Sequence, residues 1–183
     1  GTYSIAMSRS MEDSLIYSFE PNPQPYLKMT ENIDLMDLRT RVVPMNIALS
    51  SQEGRRTLFV SSASGMSSFY REQAASEGNN VTGVKTVDCC SIDRLIREGI
   101  CRLPGVIKID VEGHEYDVLK GAEDTIKSSA PQMFIELHNA GEGPDIEKYL
   151  SCDLNYSCTG VGERAIWCHN PEGRDPRPQL AFT

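Results

Sequence analysis

The chain has 183 residues and a formal net charge of −8, from 18 basic and 26 acidic side chains. This length is close to that of one ordinary domain, so a single domain is predicted over residues 1–183. The acidic excess, without clustered Lys and Arg, argues against a nucleic-acid-binding protein. No apolar run approaches the roughly 18 residues of a membrane span and no leader pattern is present, so a cytoplasmic protein without a membrane span is expected.

Six cysteines are scattered along the chain. No CxxC pair and no histidine at zinc-finger spacing accompany them, so a zinc site is not expected and reduced thiols are. Their positions are Cys89, Cys90, Cys101, Cys152, Cys158 and Cys168.

Helical and extended patterns alternate through the first half of the chain. The sequence opens on a helical segment, GTYSIAMSRS, without the strand that should precede it, so the first strand of the domain is expected to be missing. Residues 15–20 are apolar and are closed by a Pro-Asn-Pro sequence, which predicts a strand and a turn. Apolar residues at helical spacing predict a helix over residues 26–36. Residues 41–49 are predicted to form a further strand, although Pro44 interrupts the pattern.

The second half of the chain continues this alternation after a serine-rich stretch. Residues 61–80 are predicted to form a loop or a hairpin insertion, and Ser91 is a predicted cap of a short helix. The buried stripe of the next helix, which ends before Pro131, comprises Val118, Leu119, Ala122 and Ile126. The remaining predicted elements are strands over residues 84–87, 106–111 and 133–137, a helix over 144–150, a hairpin of 156–160 and 165–169, and an irregular segment over 171–178. Such alternation predicts an α/β fold whose mostly parallel sheet ends in an antiparallel edge.

Two features near the start of the chain are typical of a nucleotide-binding site. Glu20 closes a strand, and a carboxylate at that place can accept both hydroxyl hydrogens of a ribose. Gly1 precedes a helix, whose N-terminus favours a carboxylate or a phosphate. Dinucleotides and S-adenosylmethionine both contain such a ribose. Each feature alone also has a simpler explanation, as a solvated turn residue for Glu20 and as an ordinary chain start for Gly1.

A third feature is the block VIKIDVEGHEYDVLKGA, in which an apolar strand becomes acidic where it ends. The block brings Asp110, Glu112, His114 and Glu115 to the edge at which open α/β sheets bind their ligands. Glu115 falls in a first helical turn, where a carboxylate favourably meets the helix dipole without a catalytic duty.

Six segments of the chain together resemble the FkbM-type methyltransferases. They are GTYSIA, FEPNP, ENI, NIALS, IKIDVEGHEYDVLKGA and PQMFIELH, and they extend from Gly1 to about His138. The resemblance implies the class I methyltransferase fold, which is Rossmann-like, with helices on both faces of a mostly parallel sheet and a C-terminal antiparallel hairpin. It also implies S-adenosylmethionine as the cofactor and methyl transfer mostly to hydroxyl groups.

The same resemblance implies a set of cofactor-binding residues. Glu20 would bind the ribose hydroxyls, Asp110 would lie near the methionine end of the cofactor, and Gly1 would be the last glycine of the cofactor loop. The sequence departs from the family pattern because the earlier part of that loop is not present. The implied residues are Gly1, Thr2, Tyr3, Glu20, Pro21, Asn22, Asn46, Ile47, Ala48 and Asp110.

The expected reaction is an in-line displacement in which an acceptor oxygen attacks the sulfonium methyl carbon. His138 or His114 is a candidate base, because an imidazole titrates near neutral pH. The candidate catalytic residues are His138, Asp110, Glu112, His114 and Glu136. No metal is predicted, although a divalent ion held by Asp110, Glu112 and Glu136 is an alternative.

Two further functions remain open from the sequence, a nicotinamide-dependent oxidoreductase and a non-catalytic S-adenosylmethionine-binding module. The stretch SSASGMSS over residues 61–68 either closes over the cofactor or acceptor or forms a solvated connection. The predicted partner is a small-molecule, sugar or lipid acceptor that carries a hydroxyl group. The sequence predicts neither the identity of this acceptor nor the oligomeric state.

Overall fold

The structure is a computed structural model that describes residues 1–11, 13–63, 65–138 and 143–172, except for the side chains of residues 143 and 144. The α-helices in these ranges are α1 (Thr2–Ser10), α2 (Pro23–Leu35), α3 (Arg71–Ala74), α4 (Ile92–Arg97), α5 (Glu115–Lys120), α6 (Glu123–Ser129) and α7 (Gly143–Lys148). A π-helical turn, Tyr149–Asp153, continues α7. The strands are β1 (Ile16–Phe19), β2 (Val42–Met45), β3 (Ala48–Leu49), β4 (Gly54–Ser61), β5 (Val81–Cys90), β6 (Val106–Ile109), β7 (Gln132–Glu136), β8 (Ser157–Val161) and β9 (Ala165–His169). Most of the segment over 171–178 that was predicted to be irregular lies outside the described residues.

Hydrogen bonds join the strands into three groups. β1 pairs in parallel with β2, and β3 pairs in parallel with β5, which also pairs antiparallel with β4. The largest group has the order β6-β7-β9-β8, with β6 parallel to β7 and the other pairs antiparallel. The parallel pairs with intervening helices confirm the predicted α/β class, and β8 and β9 form the predicted C-terminal hairpin.

The main hydrophobic core forms where α5 and α6 meet β6, β7 and β9. The predicted helical stripe is buried as expected, with Val118, Leu119, Ala122 and Ile126 each at most 1% exposed. These side chains pack in one cluster with Ile109 of β6, Ile135 of β7 and Ile166 of β9. The stripe therefore fixes α5 directly behind the acidic block at the end of β6.

The predicted single helix after the acidic block is wrong, because the chain forms α5 and α6 with a break between them. At the break, a Cβ added to Gly121 would lie 2.3 Å from the carbonyl oxygen of Ser50. The Asp93 carboxylate of α4 accepts hydrogen bonds from the backbone N–H groups of Asp124 and Thr125 at 3.1 and 2.8 Å. Capping from a distant helix thus starts α6 as a new element.

Two strand predictions also differ from the structure. Residues 41–49 form two strands, β2 and β3, which pair with different partners, so the prediction of one strand is wrong. The side-chain amide of Asn46 sits between them and donates to the carbonyls of Glu20 and Pro21. Sequence reasoning missed β4, which pairs with β5 along residues 54–61 and 81–89. The described residues between these strands form a connection that contains α3, so the hairpin lies in β4 and β5 and not within the predicted range 61–80.

The cysteine prediction is wrong for one pair. Cys158 of β8 and Cys168 of β9 are directly opposite in the antiparallel register and are joined by a disulfide. Cys89, Cys90, Cys101 and Cys152 are free thiols.

β1 and β6 are end strands of their groups in the described part of the chain. Both strands line one cleft along their length. The expectation that a first strand is missing from this region stays a prediction. Among the described helices, even α2 with its 13 residues is too short and too polar to cross a bilayer.

Candidate active site

One cleft of about 790 Å³ opens at the carboxyl ends of β1 and β6 and continues between these two strands. Glu20, directly after β1, and Asp110, directly after β6, both line it. The two acidic residues that close the strands therefore share one cavity, as the sequence-based hypothesis requires.

Most of the residues implied for cofactor binding lie around this cleft. The lining includes Gly1, Thr2, Tyr3, Glu20, Pro21, Ile47, Ala48 and Asp110. Asn22 and Asn46 lie behind it and hold the turn that carries Glu20. The backbone N–H of Asn22 donates to Glu20 Oε1 at 2.8 Å, and the Asn46 amide donates to the Glu20 carbonyl at 2.8 Å. Burial raises the pKa of the Glu20 carboxyl, and the hydrogen bond from Asn22 offsets part of this increase.

The acidic block after β6 forms a tight loop that is held from the β4–β5 connection. Glu112 and Gly113 both have left-handed backbone conformations, with φ of 55° and 91°. The Ser68 hydroxyl donates to the Glu112 carbonyl at 2.7 Å, and the Gln73 amide donates to Glu112 Oε2 at 3.3 Å. A non-glycine residue in this conformation costs free energy unless its surroundings fix it. The contacts from Ser68 and Gln73 therefore fix the backbone conformation of the loop and the position of the Glu112 side chain.

The serine-rich stretch contacts this site. Met66, Ser67, Ser68 and Phe69 line the cleft, and Ser68 is buried. Ser64 lies outside the described residues. Of the two interpretations of SSASGMSS, the geometry favours the one in which the stretch covers the cleft.

His138, two residues after β7, is the centre of the acidic end of the cleft. Its Nδ1 lies 2.9 Å from Glu115 Oε1, a normal hydrogen-bond distance. Its Nε2 faces three other carboxylates, Asp110 at 3.4 Å, Glu112 at 3.5 Å and Glu136 at 3.8 Å. The side chain is only 9% exposed. The imidazole thus has one strong partner at Nδ1 and points Nε2 at a group of acceptors.

The electrostatic surroundings of this end are strongly negative. Burial alone lowers the pKa of His138, but the hydrogen bond to Glu115 and the charges of Glu112, Glu115 and Asp110 together raise it above its usual value. Burial also raises the pKa of the Glu112 carboxyl, which His138 partly offsets. Both shifts reflect carboxylates that are close together and poorly hydrated.

One cation, Lys108, contacts two of the carboxylates at this end of the cleft, Asp110 and Glu136. Its Nζ lies 3.3 Å from Glu136 and 3.5 Å from Asp110. The ammonium also lies 4.7 Å from the ring centroid of Tyr3, at the start of α1. This cation–π contact brings the first residues of the chain to the acidic end of the cleft.

Glu115 lies in the first turn of α5, as predicted, but its burial and its contacts were not predicted. It is completely buried, and its Oε1 accepts from the backbone N–H of Gly113 at 3.1 Å as well as contacting His138. Its Oε2 is buried and has no hydrogen-bond partner among the described residues. A favourable helix dipole does not explain such burial, because an ionised carboxylate loses much hydration energy when it is buried. Its spacing from Gly113 was visible in the sequence, but its contact with a residue 23 positions later was not.

His114, the other candidate base, has a different environment. Its Nε2 accepts hydrogen bonds from Arg56 at 3.2 Å and from Ser50 at 3.1 Å. Its Nδ1 lies 3.1 Å from the Asp117 carboxylate, without a hydrogen bond between them. Burial lowers the pKa of His114 to about 4, and the charge of Arg56 also lowers it. The ring is therefore neutral at pH 7.

The fold and the cleft together define an α/β protein of the class I methyltransferase type. The chain belongs to the FkbM methyltransferase family, because the model of the methyltransferase FkbM domain matches residues 2–158. The family predicted from the six sequence segments is thus confirmed.

Individual proteins support this assignment. The chain is 33% identical over 139 residues to a hexuronic acid methyltransferase, AglP, from Haloferax volcanii, covering 74% of this chain and 52% of that protein. In an alignment of 193 positions, it is 26% identical to the methyltransferase sdnD from Sordaria araneosa, covering 91% of this chain and 73% of that protein. The crystal structure of methyltransferase FkbM from Methylobacillus flagellatus KT has a TM-score of 0.62 at 17% identity, over 92% of this chain and 40% of that one. The chain therefore spans about half the length of AglP and shares the fold of the solved structure.

Proposed function

We propose that the protein is an S-adenosylmethionine-dependent methyltransferase that methylates a hydroxyl oxygen of a small-molecule, sugar or lipid acceptor. The observation that carries the proposal is that Glu20 and the Asp110–Glu112–His138 group line one cleft. Membership of the FkbM family supports the same function.

The residues around the cleft fit the parts of this cofactor. Glu20 would bind the ribose hydroxyls, because a carboxylate accepts both hydrogens. The N-terminus of α1 has no side-chain cap, so its backbone N–H groups are free of side-chain partners and suit the cofactor carboxylate. Ile47 and Ala48 would contact the adenine. The acidic end near Asp110 would compensate the positive charges of the sulfonium and the amine.

When bound, this cofactor supplies a methyl group that is already activated by a positively charged sulfur. The residues of the chain therefore mainly need to align the acceptor oxygen and to exclude water. Met66 and Phe69 provide apolar cover on one side of the cleft. The proton of the acceptor hydroxyl would leave through the group of Asp110, Glu112, Glu136 and His138. We assign His114 a supporting role instead, because burial, with a smaller effect from Arg56, lowers its pKa and its Nε2 is occupied.

A sugar is the acceptor class that the site supports best. Sugars present several neighbouring hydroxyl groups, and carboxylates such as Asp110 and Glu136 are good acceptors for them. The similarity to a hexuronic acid methyltransferase points to the same class.

The experiment that tests the function compares ligands and matched variants. Isothermal titration should show binding of S-adenosylmethionine and no comparable binding of NAD. Glu20→Ala should weaken cofactor binding at least about tenfold, equivalent to about 1.4 kcal/mol. The control Glu31→Ala changes an exposed carboxylate of α2 and should leave the affinity unchanged. Tight binding of NAD alone would replace the proposal with an oxidoreductase.

A second measurement separates an enzyme from a binding module. The protein, cofactor and a panel of sugar and lipid alcohols are incubated, and S-adenosylhomocysteine and methylated product are quantified. Asp110→Ala should reduce product formation at least about 100-fold, because it removes an acceptor-side group. Cofactor binding with no product from any acceptor would favour the non-catalytic module.

A further inference from the structure

We propose that Asp110, Glu112 and His138 form a binding site for a divalent metal ion that also binds the acceptor oxygen. This inference rests on the proposed function and names how the acceptor is held. It differs from the sequence-based prediction of no metal, and its ligand set has His138 where the alternative considered there had Glu136.

The first argument is the geometry of the three ligand atoms. One carboxylate oxygen from each of Asp110 and Glu112 and one His138 nitrogen lie within 4.8 Å of one another. His138 Nε2 is 3.4 Å from Asp110 Oδ1 and 3.5 Å from Glu112 Oε1. Two atoms bound about 2.1 Å from one ion are roughly 3.0–3.4 Å apart at angles between 90° and tetrahedral. The two separations from His138 Nε2 therefore lie at or just above this range.

The second argument is the orientation of His138. Its side chain is 9% exposed and directs Nε2 into the group, at distances longer than the roughly 2.7–2.9 Å of a charge-assisted hydrogen bond. The opposite nitrogen, Nδ1, contacts buried Glu115 at 2.9 Å. A carboxylate on one ring nitrogen and a metal on the other is the usual arrangement of metal-binding histidines, since the carboxylate fixes the tautomer and increases the basicity of the metal-binding nitrogen.

The third argument is the charge of the group. Asp110, Glu112, Glu115 and Glu136 bring four carboxylates together, and Lys108 is the cation that contacts two of them. A divalent ion would neutralise Asp110 and Glu112, of which only Asp110 also has an ion pair with Lys108 among the described residues. A mixed set of two carboxylates and one imidazole suits ions such as Mn²⁺ or Mg²⁺ that keep open positions for water or substrate.

A bound ion would take part in the deprotonation and methylation of the acceptor hydroxyl as follows. The acceptor hydroxyl binds an open position on the ion, which lowers the pKa of that hydroxyl, and its proton passes to the Glu136 carboxylate. A lone pair of the oxygen then forms the bond to the methyl carbon while the carbon–sulfur bond breaks and its electron pair stays on sulfur. The ion changes no oxidation state. An acceptor with a second oxygen beside the hydroxyl, such as a vicinal diol or a uronic acid, can bind the ion through both.

The test measures metal binding separately from methyl transfer. The protein is treated with EDTA, desalted and titrated with Mn²⁺, and free Mn²⁺ is followed by its electron paramagnetic resonance signal. We expect one Mn²⁺ per chain. Asp110→Asn, Glu112→Gln and His138→Gln should each weaken binding at least tenfold, and Glu115→Gln about 10- to 100-fold. The control Glu31→Gln should remain within twofold of the wild type.

The wild-type protein provides the matching activity test, which needs no variant to fold. Methyl transfer should be lost after chelation and restored by Mn²⁺ or Mg²⁺. Full methyl transfer by the chelated protein would overturn the metal site, leave the proposed function intact and return His138 to the role of base. Mn²⁺ binding that none of the four variants weakens would also overturn it. If the wild-type protein binds Mn²⁺ as expected but methylates no acceptor even with Mn²⁺ bound, the metal site would stand and the proposed function would be wrong.

Discussion

His114 and His138 line the same cleft but have opposite electrostatic surroundings. Burial, and to a smaller extent Arg56, lowers the pKa of His114, whereas carboxylates raise the pKa of His138. The sequence places both histidines near strand ends and therefore makes both candidate bases. The contacts of each histidine determine which of the two is the better candidate base. These contacts come from other parts of the chain, since Arg56 of β4 lies 58 residues before His114 and Glu115 of α5 contacts His138.

The neutral state of His114 predicts a pH dependence of stability. Its pKa falls from 6.5 to about 4 on folding, so between these values the unfolded chain binds a proton that the folded protein excludes. This contribution to the free energy of unfolding is complete above pH 6.5 and is lost as the pH falls toward 4. Its size is about 3 kcal/mol, at about 1.4 kcal/mol for each unit of pKa. Urea unfolding at pH 7.5, 5.5 and 4.5 should show a steeper loss in the wild type than in His114→Gln.

If His114→Gln does not fold, imidazole proton resonances of the wild type give the same answer, because the His114 ring should titrate well below pH 6.5. A His114 ring that titrates at or above that pH would contradict the prediction.

The site residues that the sequence predicted follow strand ends, and those that it missed come from remote segments. Glu20, Asp110 and Glu136 could be found because a strand followed by a carboxylate is a local pattern. Ser68 and Gln73, which hold Glu112, come from a connection whose only signal was its serine content. Such contacts depend on how β4 pairs with β5, and local sequence does not encode that pairing.

At the scale of elements, the turn between α5 and α6 shows how tertiary contact overrides helical periodicity. The apolar stripe continues across the break, so the sequence predicts one helix, yet Gly121 packs against the backbone of Ser50 at the end of β3. Asp93 of α4 then caps α6. Both partners lie far away in sequence, which is why periodicity alone could not locate the break.

This close approach predicts that Gly121→Ala destabilises the fold. The added Cβ would lie 2.3 Å from the Ser50 carbonyl oxygen, so the α5–α6 turn or β3 must move. We expect the free energy of unfolding to fall by about 1–3 kcal/mol, the usual cost of overpacking. Urea denaturation measures this as a lower midpoint with an unchanged slope.

Gly160→Ala is the matched control for this substitution. Nothing lies within 4 Å of a Cβ at Gly160 in β8, so this variant should keep the wild-type midpoint. Equal midpoints for the two variants would show that the Gly121 contact is not a constraint.

At the scale of the whole molecule, the cleft is lined by residues from three separate hydrophobic clusters of the described residues. Ile16, Met29, Ile33 and Val42 form a small cluster around β1 and β2, distinct from the main core behind β6 and β7. The sequence predicted the α/β class, the alternation and the closing hairpin, because each depends on local periodicity and turn residues. It did not predict that the strands form three hydrogen-bonded groups, since strand pairing is a long-range property.

A ligand that contacts both sides of this cleft should stabilise the whole molecule. S-adenosylhomocysteine would meet Glu20 on the β1 side and the Asp110 end on the β6 side, and a ligand that binds only the folded state raises its stability by mass action. At about 100 times its dissociation constant the gain is about 2.7 kcal/mol, or a rise in Tm of about 5–10 °C for a chain of this size. Thermal melts of Glu20→Ala should show at most about half of this rise, because a tenfold weaker affinity leaves about 1.4 kcal/mol, while Glu31→Ala should show all of it. An equal rise in both variants would mean that the ligand binds away from the carboxyl end of β1.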